Sequence, residues 1–270
     1  MNILDNIIDH KKKEIQDRKA LYPTQLLERS IYFETPAVSL KKYLLREDKT
    51  GIIAEFKKRS PSKGDINPYA TVEKISIGYM QSGASALSVL TDSHFFGGKN
   101  ADLTEARKFN FCPILRKDFV IDEYQLIEAK SIGADAILLI AECLEKDQLK
   151  KLAKTAKNLG LEVLMEIHSI GQLAKLNENI DIVGVNNRNL ENFTVDINNS
   201  IGLSTAIPKD FLKISESGIN NAENIVELQQ AGFQGFLIGE YFMKTPDPPK
   251  ACADLISEVR SLQKRKKLVK

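Results

Sequence analysis

The sequence predicts an α/β protein built as a single (β/α)8 TIM barrel with an N-terminal helical extension. Three observations lead there. Eight short β-rich runs recur from residue 51 onward, helix-like stretches lie between them, and glycine precedes four of the runs. The runs are GIIAEF (51–56), ALSVL (86–90), PILRKDF (113–119), AILLIA (136–141), EVLMEI (162–167), DIVGVN (181–186), FLKISES (211–217) and GFLIG (235–239). Several are almost continuously apolar, as strands covered on both faces must be.

The intervening stretches carry helical signals. Residues 71–82 place apolar side chains at Val72, Ile75, Ile77 and Tyr79. Residues 122–132 open acidic, which suits the positive end of a helix dipole. Residues 144–159 end at Gly160 and residues 221–231 at Gly232, both in the position of a C-terminal cap. Gly83 and Gly133 precede strands in the same way. Repeated βα units of this kind close into a barrel. The rival, a doubly wound open sheet, usually carries GxGxxG after its first strand, and no such motif is present.

Residues 1–50 lie outside the repeat, and the barrel is expected to occupy 51–270. Ile3, Leu4, Ile7, Ile8 and Ile15 predict an amphipathic helix packed on the barrel as an extension, with Lys11–Lys13 as its solvated face. A chain of 270 residues accommodates this as one large domain.

Composition excludes several functions. A net charge of +2 gives no case for nucleic acid, and the KRKK stretch (264–267) reads as a solvated tail. Cys112, Cys143 and Cys252 stand far apart without CxxC spacing, which points to reduced thiols and a cytoplasmic location. His10, His94 and His168 form no metal-ligand spacing, so no metal is expected. No apolar run reaches membrane-spanning length, and the charged N-terminus is unlike a signal peptide.

Chemistry in this fold sits at the C-terminal ends of the strands. Polar residues gather there. The first strand ends in Glu55 and Lys57, the third in Lys117 and Asp118, the fifth in Glu166, the sixth in Asn186, Asn187 and Arg188, and the seventh in Ser215, Glu216 and Ser217. Glu55 and Lys57 are in phase with Ile53, so all three face the barrel axis and Lys58 points elsewhere. Charges converging on one mouth must pair internally or hold a ligand, because an unpaired buried charge costs several kcal/mol. A salt-bridged layer that merely caps the barrel is the competing account. Gly218 and Gly239, after the seventh and eighth strands, leave room for backbone N–H groups to meet a phosphate. Arg188 and Lys57 would supply countercharge, and Glu240, of the wrong sign, is expected to turn its side chain away.

Seven ordered motifs resemble one family, indole-3-glycerol-phosphate synthase: AEFKKRSPSKG (54–64), SVLTDSHFFGG (88–98), PILRKDFVID (113–122), LMEIH (164–168), VGVNNRNL (183–190), SESGI (215–219) and LIGE (237–240). The resemblance runs along nearly the whole chain. It implies that Lys117 is the general acid and Glu166 the base, with Glu55, Lys57, Asn186 and Glu216 completing a polar catalytic set. It places Arg188, Ser217, Gly218, Gly239 and Glu240 at the substrate phosphate, Ser60 and Pro61 in an active-site turn, and Phe96, Phe119 and Leu190 near an anthranilate ring. The implied partner is a small phosphorylated substrate, 1-(2-carboxyphenylamino)-1-deoxyribulose 5-phosphate. A monomer is expected, and docking to other tryptophan-pathway enzymes has no support in the sequence.

The implied reaction closes a ring by attack of an aromatic carbon on a carbonyl, then loses CO2 and water. It has no redox step, and the carboxylate leaves a carbon already made electron-deficient, so no cofactor is expected. It needs a proton donor at the carbonyl oxygen, an acid for the leaving hydroxyl and a base for the anilino proton. A free lysine, with pKa near ~10.4, donates reluctantly, so desolvation or neighbouring cations are expected to lower Lys117. Phe96 and Phe119 are expected to sandwich the aromatic ring. Lys58, Arg59 and Lys63 read as solvated loop cations, and His94 and His168 as loop hydrogen-bonders. A phosphoribosylanthranilate isomerase would want a cysteine where Glu55 stands, and an epimerase would want metal ligands. A non-catalytic sensor of a phosphorylated metabolite would not need the full set of lysines and glutamates.

Overall fold

A computed structural model of the chain describes residues 3–189 and 193–268. The barrel strands are β1 (Ile52–Phe56), β2 (Ala86–Leu90), β3 (Ile114–Lys117), β4 (Ala136–Ile140), β5 (Glu162–Ile167), β6 (Ile182–Asn186), β7 (Leu212–Glu216) and β8 (Gly235–Ile238). Each falls inside a run read from the sequence. All neighbours pair in parallel, and β1 closes the barrel by pairing with both β2 and β8. The helices are α1 (Ile3–Leu21), α2 (Val72–Gln81), α3 (Asn100–Phe109), α4 (Glu123–Ser131), α5 (Lys146–Asn158), α6 (Asn198–Leu203), α7 (Ala222–Gln230), α8 (Glu240–Met243) and α9 (Pro248–Leu268). Short helices at Thr24–Leu27 and Leu40–Leu44 lie between α1 and β1.

The period-two alternation of each strand separates two apolar layers. Ile52, Ala54 and Phe56 of β1 face outward into the layer between sheet and helices. Ile53, Leu115, Leu138, Leu164, Ile182 and Ile214 face inward and fill the barrel axis. Local chemistry sets the helix ends. Asp122 accepts from Tyr124 N (2.8 Å) while Gln125 accepts from Asp122 N (3.1 Å), a reciprocal cap that starts α4. Gly83, Gly133, Gly160 and Gly232 all have positive φ, the left-handed geometry that lets the chain reverse into the next strand.

A plug closes the lower mouth. Leu40 and Leu44 belong to the inner cluster, and Ser39 caps their helix by accepting from Lys42 N at 3.1 Å. Glu162, the first residue of β5, accepts from the Ser39 hydroxyl and from Lys41 N (2.9 Å), which ties the plug to the strand.

Three expectations change. α3 was not read from the sequence because ADLTEARKF buries only Leu103 and Ala106. The basic C-terminal stretch is not a tail in its backbone, since α9 runs through it to Leu268. Lys11 is not solvated: it is 1% exposed and lies on the buried stripe of α1 with Leu4, Ile7 and Ile15. Among the described residues no helix is long and apolar enough to cross a membrane.

Leu40→Ala is expected to lower the unfolding free energy by about 2–5 kcal/mol, the range for truncating a buried leucine. Urea denaturation measures that loss. Turnover should stay unchanged, because the plug lies at the opposite end of the barrel from the charged mouth.

Candidate active site

The upper ends of the strands carry the same inward parity as the apolar core below them. Glu55 follows Ile53, Lys117 follows Leu115, Glu166 follows Leu164, and Glu216 follows Ile214, each two residues on. The barrel axis therefore changes from hydrocarbon to charge within one layer. Above it opens a cavity of about 440 Å³, within the ~300–1,000 Å³ usual for small-molecule sites.

Lys117 is the hub of the cavity floor. Its Nζ donates to Glu166 Oε2 at 3.0 Å and stands 3.3 Å from Glu216 Oε2. Asn186 Nδ2 donates to Glu166 Oε1 at 2.9 Å, and His168 Nε2 stands 3.5 Å from the same oxygen. Lys57 Nζ pairs with Glu55 Oε1 at 2.9 Å. Two glycines make space for these carboxyls. A Cβ on Gly184 would sit 2.5 Å from Glu216 Oε1, and one on Gly239 would sit 2.4 Å from Glu55 Oε1.

The environments push the acids apart. Burial raises Glu166, but Lys117, His168 and the Asn186 amide outweigh it and hold the carboxyl below the ordinary glutamate range. Burial also raises Glu216, and there Glu166 and Glu55 add to the effect and overcome the pull of Lys117. Two acids split in this way are suited to opposite proton-transfer roles. Burial lowers Lys117, but Glu166, Glu216 and Glu55 more than reverse it and hold the ammonium above its usual value. That corrects the expectation of a depressed lysine, because its neighbours are carboxylates rather than cations.

The β7 and β8 ends form a polar pocket on one side. Ser217 and Gly218 both have positive φ, and for serine this is a strained conformation costing about 1–3 kcal/mol. Asn187 Nδ2 supports the turn by donating to Ser217 O (3.0 Å) and to the buried Ser215 hydroxyl (2.9 Å). Arg188 reaches Glu240 Oε2 at 3.3 Å and Ser62 Oγ at 3.4 Å. Glu240 thus engages the arginine instead of turning away, and the space beside Gly239 belongs to the Glu55 carboxylate. Lys63, read from the sequence as a solvated loop cation, and Lys244, which that reading missed, also line the cavity. Lys244 had no strand-end position to mark it.

The opposite side is apolar. Phe96 and Phe119 have centroids 5.9 Å apart and planes inclined by 39°. A ring held between them would need about 7 Å, twice the carbon contact distance, so the pair forms one wall rather than a sandwich. Ile3, Leu4 and Ile7 of α1 complete that side. Ser60 and Pro61 line the rim. Leu190 lies outside the described residues, and every other site residue proposed from the sequence lines the cavity. Two cations and a histidine outside this set also differ from expectation. Lys58 pairs with Asp102 at 3.2 Å, Arg59 donates to His94 O, and His168 faces Glu166.

The family model described as indole-3-glycerol phosphate synthase matches residues 4–255. The chain belongs to the indole-3-glycerol phosphate synthase family. It is 48% identical over 259 residues to the indole-3-glycerol phosphate synthase of Bacteroides thetaiotaomicron, covering 96% of this chain and 99% of that protein. The protein of the same name from Campylobacter jejuni is 43% identical, with coverage of 94% and 100%. Among solved structures, the fold is similar to 3-hexulose-6-phosphate synthase of Salmonella typhimurium (TM-score 0.62, 11% identity, 78% of this chain and 99% of that one). It is also similar to a tryptophan synthase alpha-subunit of Pyrococcus furiosus (TM-score 0.60, 14% identity, 79% and 99%). At those identities the structural likeness speaks for the barrel alone. Membership of the indole-3-glycerol phosphate synthase family makes the chain a carboxy-lyase of tryptophan biosynthesis.

Gly184→Ala is expected to destabilise the protein by about 1–3 kcal/mol, the range for overpacking a core. The added methyl would meet Leu164 at 3.1 Å and Ile214 at 3.3 Å besides the Glu216 carboxyl. Thermal unfolding by circular dichroism measures the loss.

Proposed function

We propose that this cavity converts 1-(2-carboxyphenylamino)-1-deoxyribulose 5-phosphate to indole-3-glycerol phosphate, with residues 1–50 acting as an extension of the catalytic barrel formed by 51–270. The observation that carries the reading is the Lys117 ammonium held between Glu166 and Glu216 on the cavity floor. The substrate phosphate lies against Ser217, Gly218 and Arg188, with Lys57, Lys63 and Lys244 as surrounding positive charge. The aromatic ring lies on the Phe96 and Phe119 wall. That orientation sets the carbonyl above Lys117.

Ring closure forms a bond between the aromatic carbon bearing the carboxylate and the carbonyl carbon. Negative charge grows on the carbonyl oxygen. Lys117 is aimed at it as a fixed ammonium donor, and its proton passes to the oxygen as the charge develops. Its raised pKa suits this order of events, since the donor stays charged until a strong base appears beside it. Loss of CO2 restores the aromatic ring. The nitrogen lone pair then expels the hydroxyl as water, protonated from Lys57. The last proton comes off the adjoining methylene carbon rather than the nitrogen, because the product keeps its N–H. Glu166 is the base that takes it.

Glu216 balances the charge. With a proton on Glu216, Lys57 and Lys117 are matched by Glu55 and Glu166, and the floor is neutral. An ionised Glu216 would leave it negative beneath an anionic substrate.

The direct test supplies the ribulose phosphate substrate and follows indole absorbance and fluorescence; no indole signal from folded protein would refute the reading. Lys117→Met is expected to lower kcat by about 10²–10⁴ with the fold retained, measured by single-turnover fluorescence. Arg188→Ala should raise KM more than it lowers kcat, since a phosphate contact is shared by ground and transition states. The pH profile tests Glu216. Its protonated form exists below its raised pKa and is lost as pH climbs through that value, so kcat should fall on the alkaline side. Glu216→Gln, which cannot ionise, should flatten that limb, and an unchanged limb would rule out the role.

A further inference from the structure

The fully buried ammonium of Lys11 is not part of the reaction just described. It is the centre of a charged node beneath the apolar wall. Lys11 Nζ lies 2.9 Å from Asp92 Oδ2, 3.0 Å from Asp118 Oδ1 and 2.9 Å from Glu14 Oε2. The two aspartates follow neighbouring strands, β2 and β3, and each organises the loop that carries one phenylalanine of the wall. Asp92 Oδ1 accepts from Phe95 N (2.7 Å) and Phe96 N (3.2 Å). Asp118 Oδ1 accepts from Phe119 N (2.8 Å), and its backbone directly follows Lys117.

A second route leaves the same helix. Arg18 is seven residues after Lys11, two helical turns on and on the same face. It donates to Glu128, whose Oε2 accepts from Arg116 Nη2 (2.6 Å), and Arg116 Nη2 in turn reaches Asp118 Oδ2 (3.2 Å). Thr91 Oγ1 donates to the same oxygen at 2.6 Å. α1 therefore grips Asp118 from both sides, and on one face it carries both Lys11 and the Ile3, Leu4 and Ile7 side chains that line the cavity.

We propose that Lys11 is a positioning residue: by bridging Asp92 and Asp118 it locks the Phe96 and Phe119 loops and α1 into one preformed site for the aromatic half of the substrate. The inference rests on the ring placement proposed above. A buried cation joining two loops does what neither aspartate can do alone, because each fixes only the amides of its own loop. The phosphate pocket at β7 and β8 has no bond to this node among the described residues, so loss of Lys11 acts on one half of the substrate only.

The test compares two inhibitors that each mimic one half, anthranilate and inorganic phosphate, in the wild type, Lys11→Met and the double variant Lys11→Met/Asp92→Asn. The double variant removes both charges while the Asn carbonyl still accepts from Phe95 and Phe96. In each folded variant the anthranilate inhibition constant should weaken about tenfold and kcat/KM should fall by up to about 10²-fold. The phosphate inhibition constant should stay within about twofold of wild type. Unchanged anthranilate inhibition, or equal weakening of both inhibitors, overturns the proposal. So does failure of both variants to fold, which would make Lys11 a requirement of folding and nothing more. Wild-type protein inhibited by neither compound would instead overturn the site reading itself, and this inference with it.

Discussion

The cost of placing charge on the axis of a closed barrel governs this molecule. Glu55, Lys117, Glu166 and Glu216 point inward by the same alternation that packs Ile53, Leu115, Leu164 and Ile214 below them. Water cannot solvate the four freely there, so each must be satisfied by another. The solution is one ammonium set between two glutamates, one of which is made reluctant to ionise, with a second ion pair beside them. In the proposed reaction the same arrangement supplies an acid, a base and a fixed cation. Stability and chemistry are settled by the same few contacts.

That layer needs room as much as partners. Gly184 and Gly239 are bare where a Cβ would collide with a carboxylate. Neither has the left-handed backbone that usually explains a glycine, so their role is steric. The lower end of the barrel faces the opposite demand and is filled by Leu40 and Leu44. The two ends are separated by apolar layers, which isolates the reacting groups from repairs and insults at the base.

The strands were legible in the sequence because parallel strands covered on both faces are nearly continuous in apolar residues. The strand-end charges were legible by parity from Ile53 onward. What the sequence could not display was the company each charge keeps. Lys117 looked like a lysine to be depressed, and only the approach of β5 and β7 surrounds it with glutamates. Phe96 and Phe119 lie on separate loops, and their mutual contact is a tertiary fact. Lys11 is the instructive miss. It falls between Ile7 and Ile15 on the buried stripe, a position the heptad-like spacing marks, yet membership of a lysine run disguised it as surface. α3 was missed for the opposite reason: its apolar face is too thin to register.

The buried Lys11 also bears on the order in which the chain assembles. Its ammonium is partnered by Glu14 on its own helix and by Asp92 and Asp118, which follow β2 and β3. A helix docked before those two loops form would bury the cation against Glu14 alone, which is costly. Seating α1 therefore depends on the β2 and β3 ends and not on the rest of the sheet.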